Sequence, residues 1–333
     1  MFDGKNILIT GGTGTFGKQF VKFVAEKYKP NKIIIFSRDE FKQYEMERKY
    51  KNIANLRFFI GDVRDRDRLN RAFYGVDYIV HAAASKQVVA AEYNPFEAIK
   101  TNIIGAENVI EAAIDAGIKK VVALSTDKAA NPINLYGATK LASDKLFVAG
   151  NAYAGGRVTR FSVVRYGNVL GSRGSVLPLF LEQKKKGVIT ITNRYMTRFW
   201  ITIEQAINLV IKAFHEMEGG EIFVPKIPSA TMEDFAKIIA PECKIEDIGI
   251  RPGEKMHEVM IPSDDARHTL EFDDHYRIMP EFRNWETISK STNGKSLPDD
   301  FCYSSDNNPE KINPEFLCRI AQDVQEKINE MAK

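Results

Sequence analysis

The stretch Ile7–Phe20, ILITGGTGTFGKQF, joins a short apolar run, a glycine-rich turn and the start of an amphipathic segment. The apolar run is typical of a buried strand. The glycines recur every three residues, which suits a tight turn with positive φ and a pyrophosphate too close to the backbone to leave room for a Cβ atom. A helix start there presents free N–H groups to phosphates. The predicted cofactor contacts of this turn are Gly11, Thr13, Gly14, Thr15, Phe16 and Gly17.

Short apolar runs alternate with longer amphipathic stretches through the first half of the chain. Helical spacing marks Phe16–Tyr28 and Phe96–Ala116. Strand–helix alternation is typical of a parallel sheet covered on both faces, so we predict an α/β fold with a doubly wound, Rossmann-type sheet. The predicted strands are Asn6–Thr10, Lys32–Phe36, Leu56–Ile60, Tyr78–His81, Val121–Ser125 and Phe161–Tyr166.

The pattern becomes less regular after Asn168, where prolines divide the chain into short elements. We predict a dinucleotide-binding domain over residues 1–168 and a smaller substrate-binding region over 169–333, with segments partly interleaved between the two. From Pro314, apolar residues at helical spacing predict one amphipathic helix packed on the body. Those residues are Leu317, Ile320, Val324 and Ile328.

Composition limits the classes of function. The 333 residues carry a net charge of only +3, which does not indicate a nucleic-acid partner. The three cysteines share no close spacing, which argues against a disulfide framework or a zinc site, and no metal is expected. No apolar stretch approaches the roughly 18 residues of a spanning helix, and no signal-peptide pattern opens the chain. We therefore expect a cytoplasmic protein without a membrane partner.

The residues that follow the second strand indicate which dinucleotide is bound. An NAD site usually has a carboxylate there for the ribose 2′-hydroxyl. This sequence has Ser37 and Arg38, with Lys42 one helical turn further, and cations suit the 2′-phosphate of NADP. The alternative is that Asp39 turns inward and binds NAD. Further predicted cofactor contacts are Asp62, Val63, Ala82, Ala83, Lys86 and Asn102.

Tyr136 and Lys140 form a Y-x-x-x-K pair, and a helix would bring them to one face. A nearby ammonium lowers the pKa of a phenol, so this pair suits redox chemistry at a hydroxyl group, and the lysine can also hold the nicotinamide ribose. The preceding Ser125-Thr126-Asp127-Lys128 lies at the carboxyl end of the fifth strand, where ligands bind in doubly wound sheets.

The motifs GGTGTFG, STDKAANP, YGATK and RYGN together resemble the extended short-chain dehydrogenase/reductase superfamily. Within it, the chain is similar to the inverting UDP-N-acetylglucosamine 4,6-dehydratases, which feed pseudaminic acid synthesis in bacteria that glycosylate their flagellin. The resemblance covers nearly the whole chain, including RGSVLPLF, MTRFWIT and RPGEKMHEVMIP. The Asp127-Lys128 pair is the narrower marker, because retaining dehydratases typically carry Asp-Glu there and epimerases carry neither.

The resemblance implies oxidation at carbon 4, elimination of water across carbons 5 and 6, and return of the hydride to carbon 6, with a role for each residue. Tyr136, helped by Thr126, takes the 4-hydroxyl proton while NADP accepts the hydride. Lys128 then removes the proton on carbon 5, and Asp127 protonates the departing 6-hydroxyl. Lys128 must be neutral for this role, at a cost of about 4–5 kcal/mol near pH 7. We expect burial and a neighbouring cation such as Lys140 to provide that shift, and burial to keep Asp127 protonated. The alternative is a structural ion pair.

The second region should bind UDP-N-acetylglucosamine through cations, donors and an apolar wall for the uracil. His257 lacks partner ligands and is interpreted as structural. For each arginine, a surface salt bridge remains an alternative. The predicted substrate contacts are Lys86, Asn168, Arg173, Leu177, Pro178, Phe180, Thr197, Arg198, Arg251 and Glu254.

Three readings of function stay open beside the leading one. A UDP-hexose 4-epimerase and a retaining dehydratase use the same fold, and a non-catalytic NADP sensor would not need the four residues Asp127, Lys128, Tyr136 and Lys140 together. The Ala- and Ile-rich segment 94–116 and the family resemblance predict a homo-oligomer built from dimers, with a hexamer as one candidate form.

Overall fold

A computed structural model of the chain describes residues 1–172, 174–281 and 293–331, and its fold is α/β around a ten-stranded sheet. The first six strands are parallel and lie in the order β3-β2-β1-β4-β5-β6, so the predicted doubly wound sheet is confirmed. The order reverses between β1 and β4, the position where such sheets bind ligands. These strands β1 to β6 span Asn6–Thr10, Lys32–Ser37, Leu56–Ile60, Tyr78–His81, Lys120–Thr126 and Arg160–Tyr166.

Helices cover both faces of this sheet. Consecutive residues of β1, Ile7, Leu8 and Ile9, are fully buried, and neighbouring strand residues point to opposite faces. Helices α1 to α7 span Thr15–Lys27, Glu40–Lys49, Arg66–Phe73, Val88–Tyr93, Pro95–Ile99, Gly105–Asp115 and Leu135–Ala154.

The helix predicted over Phe96–Ala116 is divided in the structure. A π-helical turn over Lys100–Ile104 separates α5 from α6. At this wide turn, the side-chain amide of Asn102 donates to the Ser85 carbonyl (3.0 Å) and its oxygen accepts from the Ser85 N–H (2.8 Å). The turn therefore fastens the helix to the loop that follows β4.

Residues after 168 both extend the main sheet and build smaller sheets. Strand β10 adds to β6 in parallel, and β15, β14 and β16 continue the sheet antiparallel. The predicted domain boundary at residue 168 stays a prediction, since the chain returns to the first sheet beyond it. Strands β7 to β17 span Asn168–Val169, Val188–Ile191, Thr197–Ile201, Ile222–Pro225, Ser229–Thr231, Lys244–Asp247, Val259–Ile261, Thr269–Glu271, His275–Ile278, Lys295–Ser296 and Tyr303–Ser304.

A second apolar core lies among the helices of this later region. Trp200 stacks on Phe235 with ring centroids 4.1 Å apart, and Leu317 of the last helix is fully buried beside them. The predicted C-terminal helix is confirmed as Pro314–Met331. Helices α8 to α12 span Val176–Lys184, Ile203–Glu216, Met232–Ile239, Ser263–Ala266 and Pro314–Met331. Across the described ranges, no helix combines the length and apolar character that crossing a membrane requires.

Candidate active site

A cleft of about 1270 Å³ runs past the carboxyl ends of β1, β2, β4, β5 and β6. It extends from the glycine turn to the segment that precedes β13, and most predicted site residues line it. These are Gly11, Thr13, Gly14, Thr15, Phe16, Gly17, Ser37, Arg38, Lys42, Asp62, Val63, Ala82, Ala83, Lys86, Thr126, Lys128, Tyr136, Lys140, Asn168, Pro178, Phe180, Arg198, Arg251 and Glu254.

The glycine turn brings backbone close to backbone at one end of the cleft. Gly11 has φ +65°, and a Cβ atom built there would approach the Ala83 backbone to 2.8 Å. Gly14 occupies the N-cap of α1 without a side-chain hydrogen bond to the helix N–H groups. The helix start is thus open to an anion in the cleft. Thr13 and Ser37 join hydroxyl groups at 2.9 Å and tie the turn to β2.

Asp39, the carboxylate that could have bound the ribose 2′-hydroxyl of NAD, caps a helix instead. Asp39 is the N-cap of α2, where its side chain accepts from the Lys42 N–H (2.9 Å) and binds the Lys42 ammonium. Arg38 lines the cleft with 66% of its side chain exposed, 3.7 Å from Asp62. This end of the cleft therefore presents a guanidinium group, while the Asp39 carboxylate is held by the helix.

The Tyr–Lys pair lies on one face of α7, as predicted, and both side chains are buried against the cleft. Burial raises the pKa of Tyr136 to about 12, and Lys128 and a hydrogen bond with Thr126 oppose this only in part. The expected lowering by Lys140 is therefore wrong for the protein alone. The phenolate form needs more positive charge than the surrounding side chains supply. Burial also lowers the pKa of Lys140, against the effect of Asp144.

Lys128 lies between two buried carboxylates. Its Nζ atom is 3.1 Å from Asp127 Oδ1 and 3.2 Å from Glu258 Oε1, and it donates to Asn168 Oδ1 at 3.4 Å. Burial lowers the pKa of Lys128, but Asp127 and Glu258 outweigh burial and raise it above the ordinary lysine value. The expectation of a neutral lysine is thus corrected, because its nearest charged neighbours are anions rather than Lys140.

Asp127 lies behind Lys128 and does not line the cleft. Its side chain is fully buried, and burial raises the pKa of this carboxyl, as predicted, against the effect of Lys128. Its Oδ1 atom accepts from the Thr126 hydroxyl at 2.9 Å, whereas Oδ2 has no hydrogen-bond partner. Asp127 is therefore joined to the cleft through Lys128 and Thr126.

Some predicted contact residues have other surroundings. Leu177 is fully buried in the second apolar core, because α8 turns that side chain inward while Pro178 faces the cleft. Thr197 bonds to His257 Nδ1 (2.8 Å) and to Ser305, which gives His257 a structural partner. Asn102 lies behind the cleft, where it bonds Ser85 and Thr139. Arg173 lies outside the described residues.

The substrate end of the cleft is fastened to the catalytic segment. Arg198 lines the cleft, but its guanidinium donates to the carbonyls of Thr197 (2.7 Å) and Lys255 (2.9 Å). Asn134, the N-cap of α7, donates to the Gly253 carbonyl at 2.7 Å. Lys255 Nζ donates to the Ala130 carbonyl at 2.7 Å. The stretch of residues 251–258 is therefore held against the loop that carries Lys128.

Glu258 is one of the cleft residues that the sequence did not predict. It lies in the segment RPGEKMHEVMIP, in which the sequence analysis gave roles to Arg251, Glu254 and His257. No local spacing relates Glu258 to Lys128, since they are 130 positions apart and only the tertiary fold joins them. In the part of the chain that the structure describes, no group of three or more His, Cys, Asp or Glu side chains could hold a metal ion.

The strand order, the glycine turn and the Tyr–Lys pair define an α/β protein of the extended short-chain dehydrogenase/reductase class. The profile of the family described as "Polysaccharide biosynthesis protein" matches residues 7–280. The chain is 55% identical to "UDP-N-acetylglucosamine 4,6-dehydratase (inverting)" of Campylobacter jejuni (strain 81-176), over 96% of this chain and 98% of that protein. It therefore belongs to the polysaccharide biosynthesis protein family and, within it, to the group of the inverting UDP-N-acetylglucosamine 4,6-dehydratases.

Two further comparisons bear on the breadth of this family. A protein of Rickettsia canadensis named "UDP-glucose 4-epimerase" is 44% identical over 85% of each chain. The X-ray structure of Pen from Bacillus thuringiensis has a TM-score of 0.88 at 39% identity, and it covers 98% of this chain and 99% of that one. The chain thus shares its fold with Pen along nearly the full length. Its relatives, in contrast, are named for different activities.

Proposed function

We propose that the chain catalyses the NADP-dependent 4,6-dehydration of UDP-N-acetylglucosamine with inversion at carbon 5, which makes UDP-2-acetamido-2,6-dideoxy-beta-L-arabino-hexos-4-ulose. The observation that carries this proposal is that Lys128 lines one cleft with Tyr136 and is paired with the buried Asp127 behind it, since oxidation needs the tyrosine and elimination needs an acid and a base. The Campylobacter relative, which is named for this activity, supports the choice of substrate.

The residues fit a dinucleotide with a 2′-phosphate. The uncapped start of α1 and the close backbone approach at Gly11 suit a pyrophosphate, and Arg38 suits the 2′-phosphate because Asp39 is engaged in capping α2. Lys140 would hold the nicotinamide ribose. When bound, NADP takes a hydride from carbon 4 and returns it to carbon 6, so it is not consumed.

Tyr136 and Thr126 act at the 4-hydroxyl group. Both line the cleft. Tyr136 takes the hydroxyl proton as the phenolate, and Thr126 holds the same oxygen. The resulting 4-keto group makes the proton on carbon 5 acidic, which prepares the elimination step.

Lys128 and Asp127 carry out the elimination after exchanging a proton. Transfer from Lys128 Nζ to Asp127 Oδ1, across 3.1 Å, gives a neutral amine and a neutral acid without moving net charge. The amine then takes the carbon 5 proton. The proton of Asp127 passes by way of the Thr126 hydroxyl, which lines the cleft, to the 6-hydroxyl, which leaves as water. Lys128 then returns a proton to carbon 5. At the end of the cycle Tyr136 has gained one proton and Asp127 has lost one, so the total number of protons on the enzyme is unchanged.

The nucleotide end of the substrate would lie along the later region. Pro178 and Phe180 offer an apolar wall for uracil, and Arg251 and Glu254 line the rim of the cleft. Lys86 also faces the cleft, and desolvation by the surrounding protein lowers its pKa. The product would enter pseudaminic acid synthesis for flagellin glycosylation, and the enzyme would work as a dimer-based homo-oligomer, both as the family resemblance implies.

A 4-epimerase acting on a UDP-hexose is the second candidate, favoured by the Rickettsia relative. An epimerase needs the oxidising tyrosine but no acid–base pair for loss of water. The Asp127–Lys128 pair therefore favours dehydration, by either an inverting or a retaining course. The same pair argues against a non-catalytic NADP sensor.

Incubation of the purified protein with UDP-N-acetylglucosamine in deuterated water, followed by NMR, tests the proposal. We expect a 4-keto-6-deoxy product that carries deuterium at carbon 5 with inverted configuration. Uninverted configuration would mean a retaining dehydratase, and a product of unchanged mass, UDP-N-acetylgalactosamine, would mean an epimerase. Absence of turnover with any UDP-hexose would leave a non-catalytic NADP sensor as the remaining interpretation.

A further inference from the structure

Glu258 is a buried carboxylate that faces the cleft and that the reaction scheme above does not use. Its side chain is 2% exposed and lines the cleft beside Lys128. The backbone on both sides is fixed, because Glu258 N–H donates to Ser305 Oγ (2.9 Å) and Ser305 N–H donates to the Glu258 carbonyl (2.8 Å). Glu258 thus presents a negative charge at a position that the fold determines.

Three cations surround this one carboxylate. Lys128 Nζ and Arg198 Nε lie 3.2 and 3.9 Å from Oε1, and Lys255 Nζ lies 3.5 Å from Oε2. Arg198 and Lys255 also donate to backbone carbonyls, which keeps both in place. The pKa of Glu258 is lowered, because the three cations outweigh the effect of burial. Glu258 therefore remains an anion under conditions in which Asp127 can take up a proton.

The acceptors around Lys128 match its three N–H bonds. Asp127, Glu258 and Asn168 each offer one oxygen within 3.4 Å of Nζ, and an ammonium group has three donors. When the proton shared with Asp127 leaves, the other two acceptors still hold the nitrogen. The lone pair is left on the Asp127 side of the nitrogen, and rotation about the Cε–Nζ bond brings it to the cleft, where it can act as a base.

We propose that Glu258 is a positioning residue for the elimination step, a permanent anion that holds the Lys128 nitrogen and directs its exchangeable proton to Asp127. This inference rests on the proposed function, because it assigns Glu258 to the step in which Lys128 acts as the base. Tyr136, a further titratable group near Lys128, has already taken the 4-hydroxyl proton when elimination begins, so it does not compete for the Lys128 proton.

The first test uses the protein without substrate and does not depend on activity. Competitive labelling with trace acetic anhydride near pH 7, read by mass spectrometry, reports the neutral fraction of Lys128 relative to exposed Lys237. Glu258→Gln removes one of the two anions that stabilise the ammonium, so we expect labelling of Lys128 to rise about tenfold, as for one pKa unit. Glu258→Asp keeps the charge and should label like wild type. Equal labelling in wild type and Glu258→Gln would overturn the proposal.

The second test separates positioning from a structural role. In a single turnover with UDP-N-acetylglucosamine, Glu258→Gln should form NADPH at the wild-type rate but lose water about tenfold more slowly, so NADPH accumulates. In the pH profile of the water-loss rate, the fall in rate on the acidic side should also occur at lower pH, because the Lys128 base then has a lower pKa. Parallel loss of both steps would mean a structural role and would overturn the proposal.

A matched control and a folding check complete the design. Glu242→Gln removes a carboxylate that pairs with exposed Lys184 at 3.3 Å, away from the cleft, and should change neither readout. If Glu258→Gln does not fold by circular dichroism, Glu258→Asp carries the test, since its shorter side chain should slow water loss while NADPH formation stays normal. A wild-type enzyme that releases no water would refute the proposed function, whereas the labelling result would still decide the role of Glu258.

Discussion

The two ends of the cleft hold their cations in opposite ways. At the end of β2, Arg38 is 66% exposed and lies 3.7 Å from Asp62. At the end of β5, Lys128 is 21% exposed and lies between carboxylates that are 0% and 2% exposed. Water and salt screen the first arrangement, so such a pair contributes about 0–1 kcal/mol. Loss of one partner from the second costs about 3–5 kcal/mol, because a buried charge is left alone. Arg38 is thus available to a ligand, whereas Lys128 is held in one position by the carboxylates around it.

The largest effect should follow removal of the buried cation. Lys128→Ala deletes the proposed base, so we expect water loss to fall about 10²- to 10⁴-fold while NADP binding persists. Single-turnover product analysis and cofactor titration measure the two quantities. Lys237→Ala, which deletes a lysine from an exposed pair with Glu233, is the control and should leave both unchanged. Loss of NADP binding in Lys128→Ala would contradict the assigned role.

Tyr136→Phe should affect the step before elimination. The ring still fills its buried position, but no phenol remains to take the 4-hydroxyl proton, so NADPH formation should fall about 10²- to 10³-fold. Stopped-flow absorbance after mixing with UDP-N-acetylglucosamine measures this rate. Tyr153→Phe is the matched control, since Tyr153 lies on the same helix with 79% exposure. Wild-type NADPH formation in Tyr136→Phe would remove the tyrosine from the oxidation step.

At the exposed end, Arg38→Ala should change cofactor choice rather than rate. A charge-assisted hydrogen bond is worth about 1.5–3 kcal/mol, so the preference for NADP over NAD should fall about 10- to 100-fold. Calorimetric titration with each dinucleotide, repeated at higher salt, measures it. Arg48→Ala on α2, outside the cleft lining, should leave the preference intact. Tighter binding of NAD than NADP by the wild type would contradict the proposed cofactor.

The smallest effect belongs to an exposed pair far from the cleft. Burial raises the pKa of Asp274, but hydrogen bonds from Lys212 and His275 outweigh it and lower the pKa to about 2. A lowered pKa stabilises the fold above the unfolded value near 3.9, and this stabilisation is lost as the pH falls towards 2. Asp274→Asn should therefore cost under about 1 kcal/mol at pH 7 and nothing in strong acid.

Thermal unfolding of wild type and Asp274→Asn across that pH range measures the effect. Asp264→Asn, at an exposed carboxylate of α11, serves as the control and should unfold like wild type. A difference that persists at the lowest pH would show that Asp274 contributes through packing instead of charge.

The sequence predicts most of the fold because the strands are locally encoded. Unbroken apolar runs bounded by polar or small residues identified β1, β3 and β4 with their observed bounds. The division of Phe96–Ala116 was not predicted, since local spacing reveals neither the π-helical turn nor the hydrogen bonds that join Asn102 within it to Ser85. The family motifs likewise indicated Tyr136, Lys140 and Lys128, and all three line the cleft.

Orientation and long-range charge account for what the sequence did not predict. Leu177 and Pro178 are neighbours on α8, and only packing decides that the leucine turns into the core. The charge state of Lys128 depends on Glu258, which is distant in the sequence and is brought to Lys128 by the fold. The role implied by the family resemblance therefore required a neutral lysine, and the tertiary arrangement reversed that expectation.

The stretch 251–258 is fastened to the catalytic loop at three successive points, through Gly253, Lys255 and Glu258. The number of residues between these points is fixed by the turns and bends that the chain makes there. Deletion of one residue between them would move the Glu258 carboxylate away from its position 3.2 Å from Lys128. Evolution within this segment should therefore tolerate exchange of exposed side chains far better than any change in its length.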